Sequence, residues 1–201
     1  MSEKLYIDTP MGKAIMEALG QLNEEIAELF STAEPGSVRA YVFGGAALHI
    51  HTNARGSADI DVEISAVDRL DLEEITVLYT DEHGDERQLV IDDTFNPMIA
   101  GLLPECYQED AIPLFRTADD PLHSFVVTGI DLAVSKLDRL GEIDQADIIS
   151  LYRAGKFDID GLRAHAEEAL LGAVGNEKRL KGNINFMISQ LNELEKDNDQ
   201  T

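Results

Sequence analysis

The sequence predicts an α+β fold, and three patterns carry that expectation. Asp59-Ile60-Asp61-Val62-Glu63-Ile64 alternates strictly between acidic and apolar side chains, the period of a half-buried strand. Before it, Ile15, Met16, Leu19, Leu22, Ile26, Leu29 and Phe30 recur at spacings of three and four, the period of an amphipathic helix. After Gly129 every apolar period is helical. The expected division is an α+β part over residues 1–128 and a C-terminal helical part over 129–201 that completes a cleft.

Each element has its own local reason. Glu34-Pro35-Gly36-Ser37 ends the first helix. Val38 to Phe43 is a short β-rich run that stops at Gly44-Gly45, and Ala46 to His51 can open a short helix. Ile75–Thr80 and Arg87–Ile91 are strand candidates. Asp81-Glu82-His83-Gly84-Asp85 between them reads as a hairpin turn with Gly84 in a left-handed position. Asn96-Pro97 breaks the pattern, and short strands follow at Ile112–Phe115 and His123–Thr128. Four helices complete the chain. The first runs to Gly141, the second to Gly155, the third takes Asp160 as N-cap, and the fourth holds Leu180, Ile184, Met187, Ile188, Leu191 and Leu194.

Composition narrows the function. The apolar fraction of 44% in 201 residues is enough to bury a core, which rules out wholesale disorder. Cys106 is the only cysteine, so there is no disulfide framework. No apolar run reaches the ~18 residues that span a bilayer, and the N-terminus lacks a signal-peptide pattern. A reduced, cytoplasmic protein with no membrane partner is expected. The formal charge of −23 repels phosphate backbones at long range, so passive coating of nucleic acid is not expected. A basic protein partner is compatible with it.

One constellation carries chemistry. The run Val38–Phe43 enters a Gly pair whose backbone N–H groups can approach a phosphate, because no Cβ intervenes. The next strand carries Asp59 and Asp61. At a rise of about 3.3 Å per residue both carboxylates leave the same face side by side, and they repel unless a cation lies between them. Magnesium takes oxygen ligands and bridges carboxylates to substrate phosphates. A third carboxylate from a neighbouring strand, Asp92 or Asp93, would complete a two-metal site with ions about 3.5–4 Å apart. His49 and His51 lack any other soft ligand nearby and read as a helix-end pair. Cys106 has no positioned base, so it reads as a plain thiol.

Arg55-Gly56-Ser57-Ala58-Asp59-Ile60-Asp61, Asp92-Asp93-Thr94-Phe95-Asn96-Pro97, Asp131 to Arg139 and Asp144 to Ile148 together resemble a known family. The sequence is similar to the nucleotidyltransferase superfamily of DNA polymerase beta type. It is more similar to small prokaryotic nucleotidyltransferase-like proteins related to the abortive-infection toxin group. The resemblance covers roughly residues 38 to 155. It implies a mixed sheet flanked by helices. It also implies that Gly44 and Gly45 hold the phosphates of an NTP, with Ser57 beside the triphosphate. Asp59, Asp61 and Asp92 would be the catalytic carboxylates and the Mg2+ ligands, Lys136 a phosphate lysine, and Asp144 the acidic position after it. Arg55 is a second cation near the expected site. The activity implied is transfer of an NMP to an acceptor hydroxyl of RNA or protein, as a toxin–antitoxin component.

Rival readings are a non-catalytic acidic module that docks a basic protein, and an acidic mimic of nucleic acid. An intact acidic triad beside a glycine turn speaks for the enzyme. For Lys136 the plain alternative is an exposed charge paired with Asp131 or Glu142. On the phosphate reading, removing Lys136 should leave the melting temperature of the apo protein nearly unchanged.

Overall fold

The computed structural model describes residues 4–30, 34–66, 72–96, 102–115, 117–173 and 176–198. The chain divides into two compact units, Met1–Phe95 with Ala111–Val127, and Asn96–Asp110 with Thr128–Thr201.

The first unit is built on helix α1 (Pro10–Leu29), strand β1 (Val38–Val42), helix α2 (Gly44–Thr52) and strands β2 (Asp59–Ser65), β3 (Thr76–Thr80), β4 (Glu86–Asp92), β5 (Ile112–Phe115) and β6 (Leu122–Val126). Thr9 caps α1, its hydroxyl accepting from the Gly12 N–H at 3.0 Å, and Pro10 occupies the first turn, where its missing N–H costs nothing. The helix therefore begins five residues before the first apolar position of the sequence period. It buries Ile15, Leu19, Leu22 and Ile26 completely and packs against β3, β4, β5 and β6.

The six strands form one mixed sheet in the order β3-β4-β2-β1-β6-β5. Antiparallel pairs are β1–β2, β3–β4 and β5–β6, and parallel pairs are β1–β6 and β2–β4. β2 is thus a central strand. Its alternation holds, since Ile60 and Val62 are fully buried on one face and Asp59, Asp61 and Glu63 lie on the other. The turn between β3 and β4 also matches expectation, with Gly84 at φ +86°.

The second unit holds helices α3 (Tyr107–Asp110), α4 (Gly129–Lys136), α5 (Glu142–Arg153), α6 (Ile159–Gly172) and α7 (Glu177–Asn198). Thr128 caps α4. Its hydroxyl accepts from the Asp131 N–H at 3.2 Å and donates to the Asp131 carboxylate at 2.6 Å. The cap of α6 is Asp158 and not Asp160, because the Asp158 carboxylate reaches the Gly161 N–H at 2.6 Å. Asp160 lies inside the first turn, where a negative charge suits the helix dipole. Leu162, Ala166, Met187 and Leu191 are fully buried in this unit. Pro97, expected to break the chain after Asn96, lies outside the described residues. Among the described residues no helix is long and apolar enough to cross a membrane.

Candidate active site

Register places the acidic residues. β1 runs antiparallel to β2 with Val42 opposite Val62, and the Phe43 N–H donates to the Asp61 carbonyl at 2.9 Å. The chain then turns into α2 at Gly44, directly against β2. Gly44 has φ +61°, and a Cβ there would lie 1.6 Å from Asp61 Oδ2. Only glycine permits this backbone and this approach together. Gly45 is equally confined, since a Cβ would stand 2.6 Å from Ser57 Oγ and 3.0 Å from Arg55 Nη1. The glycine pair, Arg55, Ser57 and Asp61 are therefore one packed cluster.

Ser57 extends the cluster to Asp59, donating from Oγ to Oδ1 at 2.7 Å. The N-cap of α2 is Phe43, which has no side-chain acceptor, so no side chain caps the helix. Its first-turn N–H groups form an anion-attracting terminus beside the carboxylates.

β4 supplies the third acid. It is parallel to β2, with Asp61 paired to Asp92 and Asp59 paired to Val90. Registered partners in neighbouring strands share a face, and strands lie about 4.8 Å apart. Asp92, and not Asp93, is the residue registered with Asp61. Thr94 orients it: Asp92 Oδ1 accepts from the Thr94 N–H at 3.0 Å and from the Thr94 hydroxyl at 2.6 Å. Phe95 then packs on Phe43 with ring centroids 5.0 Å apart. Thr94 and Phe95 stand in the Asp92–Pro97 motif, but the sequence offers no sign that they orient Asp92 and clamp the strand end to the glycine turn.

A family described as "Nucleotidyltransferase of unknown function (DUF6036)" matches residues 17–195. The chain belongs to this family. No curated protein matches it in sequence. The match to the nucleotidyltransferase family spans the glycine turn, the three aspartates and the helices that follow.

The carboxylates fit the demands of a nucleotidyltransferase metal in one respect and limit it in another. The donors on this face are hard oxygens. Among the described residues, however, no group of three acidic, His or Cys side chains converges closely enough to enclose an ion. Asp59 and Asp61 with Asp92 one strand away make an open set. Magnesium suits such a set, because it is held by one or two carboxylates, water and substrate phosphates, and not by a protein cage.

Beside the cluster is a cavity of about 870 Å³, walled by Thr9, His49, Arg55, Ser57, Tyr79 and Arg87 among others. Its walls include none of the three carboxylates. A second cavity, of about 350 Å³, is lined by Asp92 and Thr94. The larger void thus borders the loop that carries Arg55 and Ser57, and the smaller one borders the end of β4.

His49 and His51 are both buried on α2. The His51 ring bonds the Val127 carbonyl through Nε2 at 2.8 Å. His49 bonds Thr9 Oγ1 through Nε2 at 2.7 Å and the Arg55 carbonyl through Nδ1 at 3.2 Å. Burial holds its pKa below the usual value, partly offset by the Arg55 carbonyl and by Glu82. Both lie in the last turn of α2, as a helix-end pair.

Lys136 and Asp144 lie in the helical unit, bonded to each other's surroundings. The Lys136 ammonium is 2.8 Å from Asp147 and 3.9 Å from Asp144. Lys136 is only 8% exposed, and its partners are not Asp131 or Glu142. The reason is the turn after α4, where Leu140 adopts φ +46° and brings α5 back toward Lys136. Asp144 and Asp147, three residues apart, then present one helical face. Asp144 also accepts two 2.7 Å bonds from Arg139 and one of 3.0 Å from the Gly141 N–H. Burial pushes its pKa up, but these donors and the Lys136 charge outweigh that and hold it below the usual value.

Proposed function

We propose that the protein is a magnesium-dependent nucleotidyltransferase of the polymerase beta type. It binds an NTP, transfers the NMP moiety to an acceptor hydroxyl of RNA or protein and releases pyrophosphate. The observation that carries this reading is the acidic face of β2, with Asp92 in register beside Asp61 and the Gly44 backbone closed against the Asp61 carboxylate. Membership of a nucleotidyltransferase family supports it.

Asp59, Asp61 and Asp92 would hold Mg2+, which when bound supplies neutralisation of phosphate charge. The Gly44-Gly45 turn and the N-terminus of α2 bind and orient the phosphates. Ser57 and Arg55 lie against Gly45, and Ser57 holds Asp59 in place. The acceptor oxygen attacks the α-phosphorus as the bond to the β-phosphate bridging oxygen breaks. Asp92 would help activate the attacking hydroxyl as its proton is lost. By resemblance alone, Lys136 and Asp144 belong to the phosphate-binding set, and the protein acts in the cytoplasm as a toxin–antitoxin component.

The test is incubation with each labelled NTP, Mg2+ and total cellular RNA and protein. Label on a discrete RNA or protein band is expected, and it should vanish with Asp59→Asn plus Asp61→Asn. No label from any NTP, or label that survives the double change, would remove the reading.

A further inference from the structure

The loop of residues 53–58 joins α2 to β2 and carries both Arg55 and Ser57. One of its ties is a buried imidazole. His49 is 6% exposed, and its Nδ1 lies 3.2 Å from the Arg55 carbonyl. A carbonyl only accepts, so Nδ1 carries the hydrogen, an assignment made from the bonding network. In the neutral ring Nε2 is then an acceptor, and it lies 2.7 Å from the Thr9 hydroxyl. The same hydroxyl is 3.1 Å from the Tyr6 carbonyl, so its one hydrogen goes to the nearer partner. His49 therefore ties the loop on one side and the N-cap of α1 on the other.

We propose that His49 is a positioning residue: it holds the 53–58 loop so that Arg55 and Ser57 stay seated on the glycine turn. The effect on nucleotide binding rests on the nucleotidyltransferase reading above. The chain of contacts is continuous. His49 holds the Arg55 carbonyl, the Arg55 and Ser57 side chains meet Gly45, and Ser57 bonds Asp59. Residues 53–58 also form part of the wall of the 870 Å³ cavity, so open space lies beside the loop. Without the Nδ1 donor the Arg55 carbonyl loses this tie, and the loop can shift toward that space and draw Ser57 from Asp59.

Two substitutions separate the two bonds. The amide nitrogen of Asn sits where Nδ1 sits, so His49→Asn keeps a donor for Arg55 and gives up Thr9. The amide of Gln sits where Nε2 sits, so His49→Gln keeps Thr9 and gives up Arg55. Two measurements on the full chain read the result. In the apo protein, amide order parameters of Ala54–Ala58 should stay near the rigid value of about 0.85 in wild type and His49→Asn, and fall toward about 0.6 in His49→Gln. Titration with a non-hydrolysable NTP and Mg2+ should show about tenfold weaker binding for His49→Gln, the effect of one lost hydrogen bond with its carbonyl left bare, and a much smaller change for His49→Asn.

Equal loop order in the two variants would overturn the proposal. So would the opposite ranking, with His49→Asn the damaged protein and the lower-melting one, since His49 would then serve only to clamp α1. Absence of NTP binding by the wild-type protein would instead overturn the nucleotidyltransferase reading, and the order parameters would still decide whether His49 holds the loop.

Discussion

At the scale of single residues, the site depends on how closely Gly44 and Asp61 approach. Any side chain at position 44 meets two obstacles at once, the left-handed backbone and the Asp61 carboxylate. Gly44→Ala should cost about 1–2 kcal/mol for the backbone alone. Seating the methyl also requires Asp61 to move off the acidic face. Denaturant unfolding should report the loss in stability, and any Mg2+-induced rise in melting temperature should disappear with it. The aspartates themselves should behave in the opposite way. Asp59→Asn with Asp61→Asn relieves a repulsion, so the apo protein should melt no lower than wild type, while Mg2+ no longer raises its melting temperature. A Mg2+ response that survives the double change would place the ion elsewhere.

At the scale of elements, the α4–α5 hairpin is held by an ionic network and not by apolar burial alone. Lys136 sits between Asp144 and Asp147, each 1–2% exposed, and the sequence expectation that its removal spares the apo fold does not fit that setting. Lys136→Ala removes the cation 2.8 Å from the buried Asp147, while Asp144 keeps Arg139, and breaking one buried pair costs about 3–5 kcal/mol. Chemical unfolding should show that loss in the absence of any nucleotide. Arg139 is 77% exposed at its side chain even though it bonds Asp144, so Arg139→Ala should cost distinctly less. Stability thus has to be measured before any change in activity of a Lys136 variant is given to phosphate binding.

At the scale of the whole molecule, pH acts through groups with opposite signs. His49 has a folded pKa below its usual 6.5, because burial disfavours the imidazolium. The unfolded chain then binds more protons, and stability present above pH 6.5 is lost as pH falls below it toward the folded value. Asp144 has a folded pKa below the usual 3.8, so its contribution is present above that value and is lost as pH falls through the more acid range. Asp131 runs the other way. Burial raises its pKa above 3.8, so folding loses stability as pH rises from 3.8 through the raised folded value. Unfolding free energy measured from pH 7.5 to 5 should fall with acid in wild type, and the slope near pH 6 should flatten in His49→Asn. Asp131→Asn should remove the loss on the rising limb above pH 4 and leave the slope near pH 6 unchanged. The formal charge of −23 adds a repulsion common to all variants, so added salt should raise every melting temperature together.

The sequence by itself determined the elements whose cause is local. The strict alternation of Asp59–Ile64 specifies one buried and one acidic face whatever the strand pairs with, and the Gly84 turn and the amphipathic periods are read within a few residues. The glycine pair and the two aspartates were legible for the same reason. The tertiary structure alone decided what depends on distant chain segments. Register between β2 and β4 sets Asp92, and not Asp93, opposite Asp61, because pairing across a sheet brings together residues thirty-one positions apart. Thr9 is forty residues from His49, and no periodicity links them. Lys136 carried two sequence readings, a phosphate lysine by resemblance and an exposed charge paired with Asp131 or Glu142, and neither anticipates its pairing with Asp147. The turn at Leu140 buries it by folding α5 back with two carboxylates to meet it. Burial and charge pairing arise from which segments meet, and short-range pattern carries no term for that.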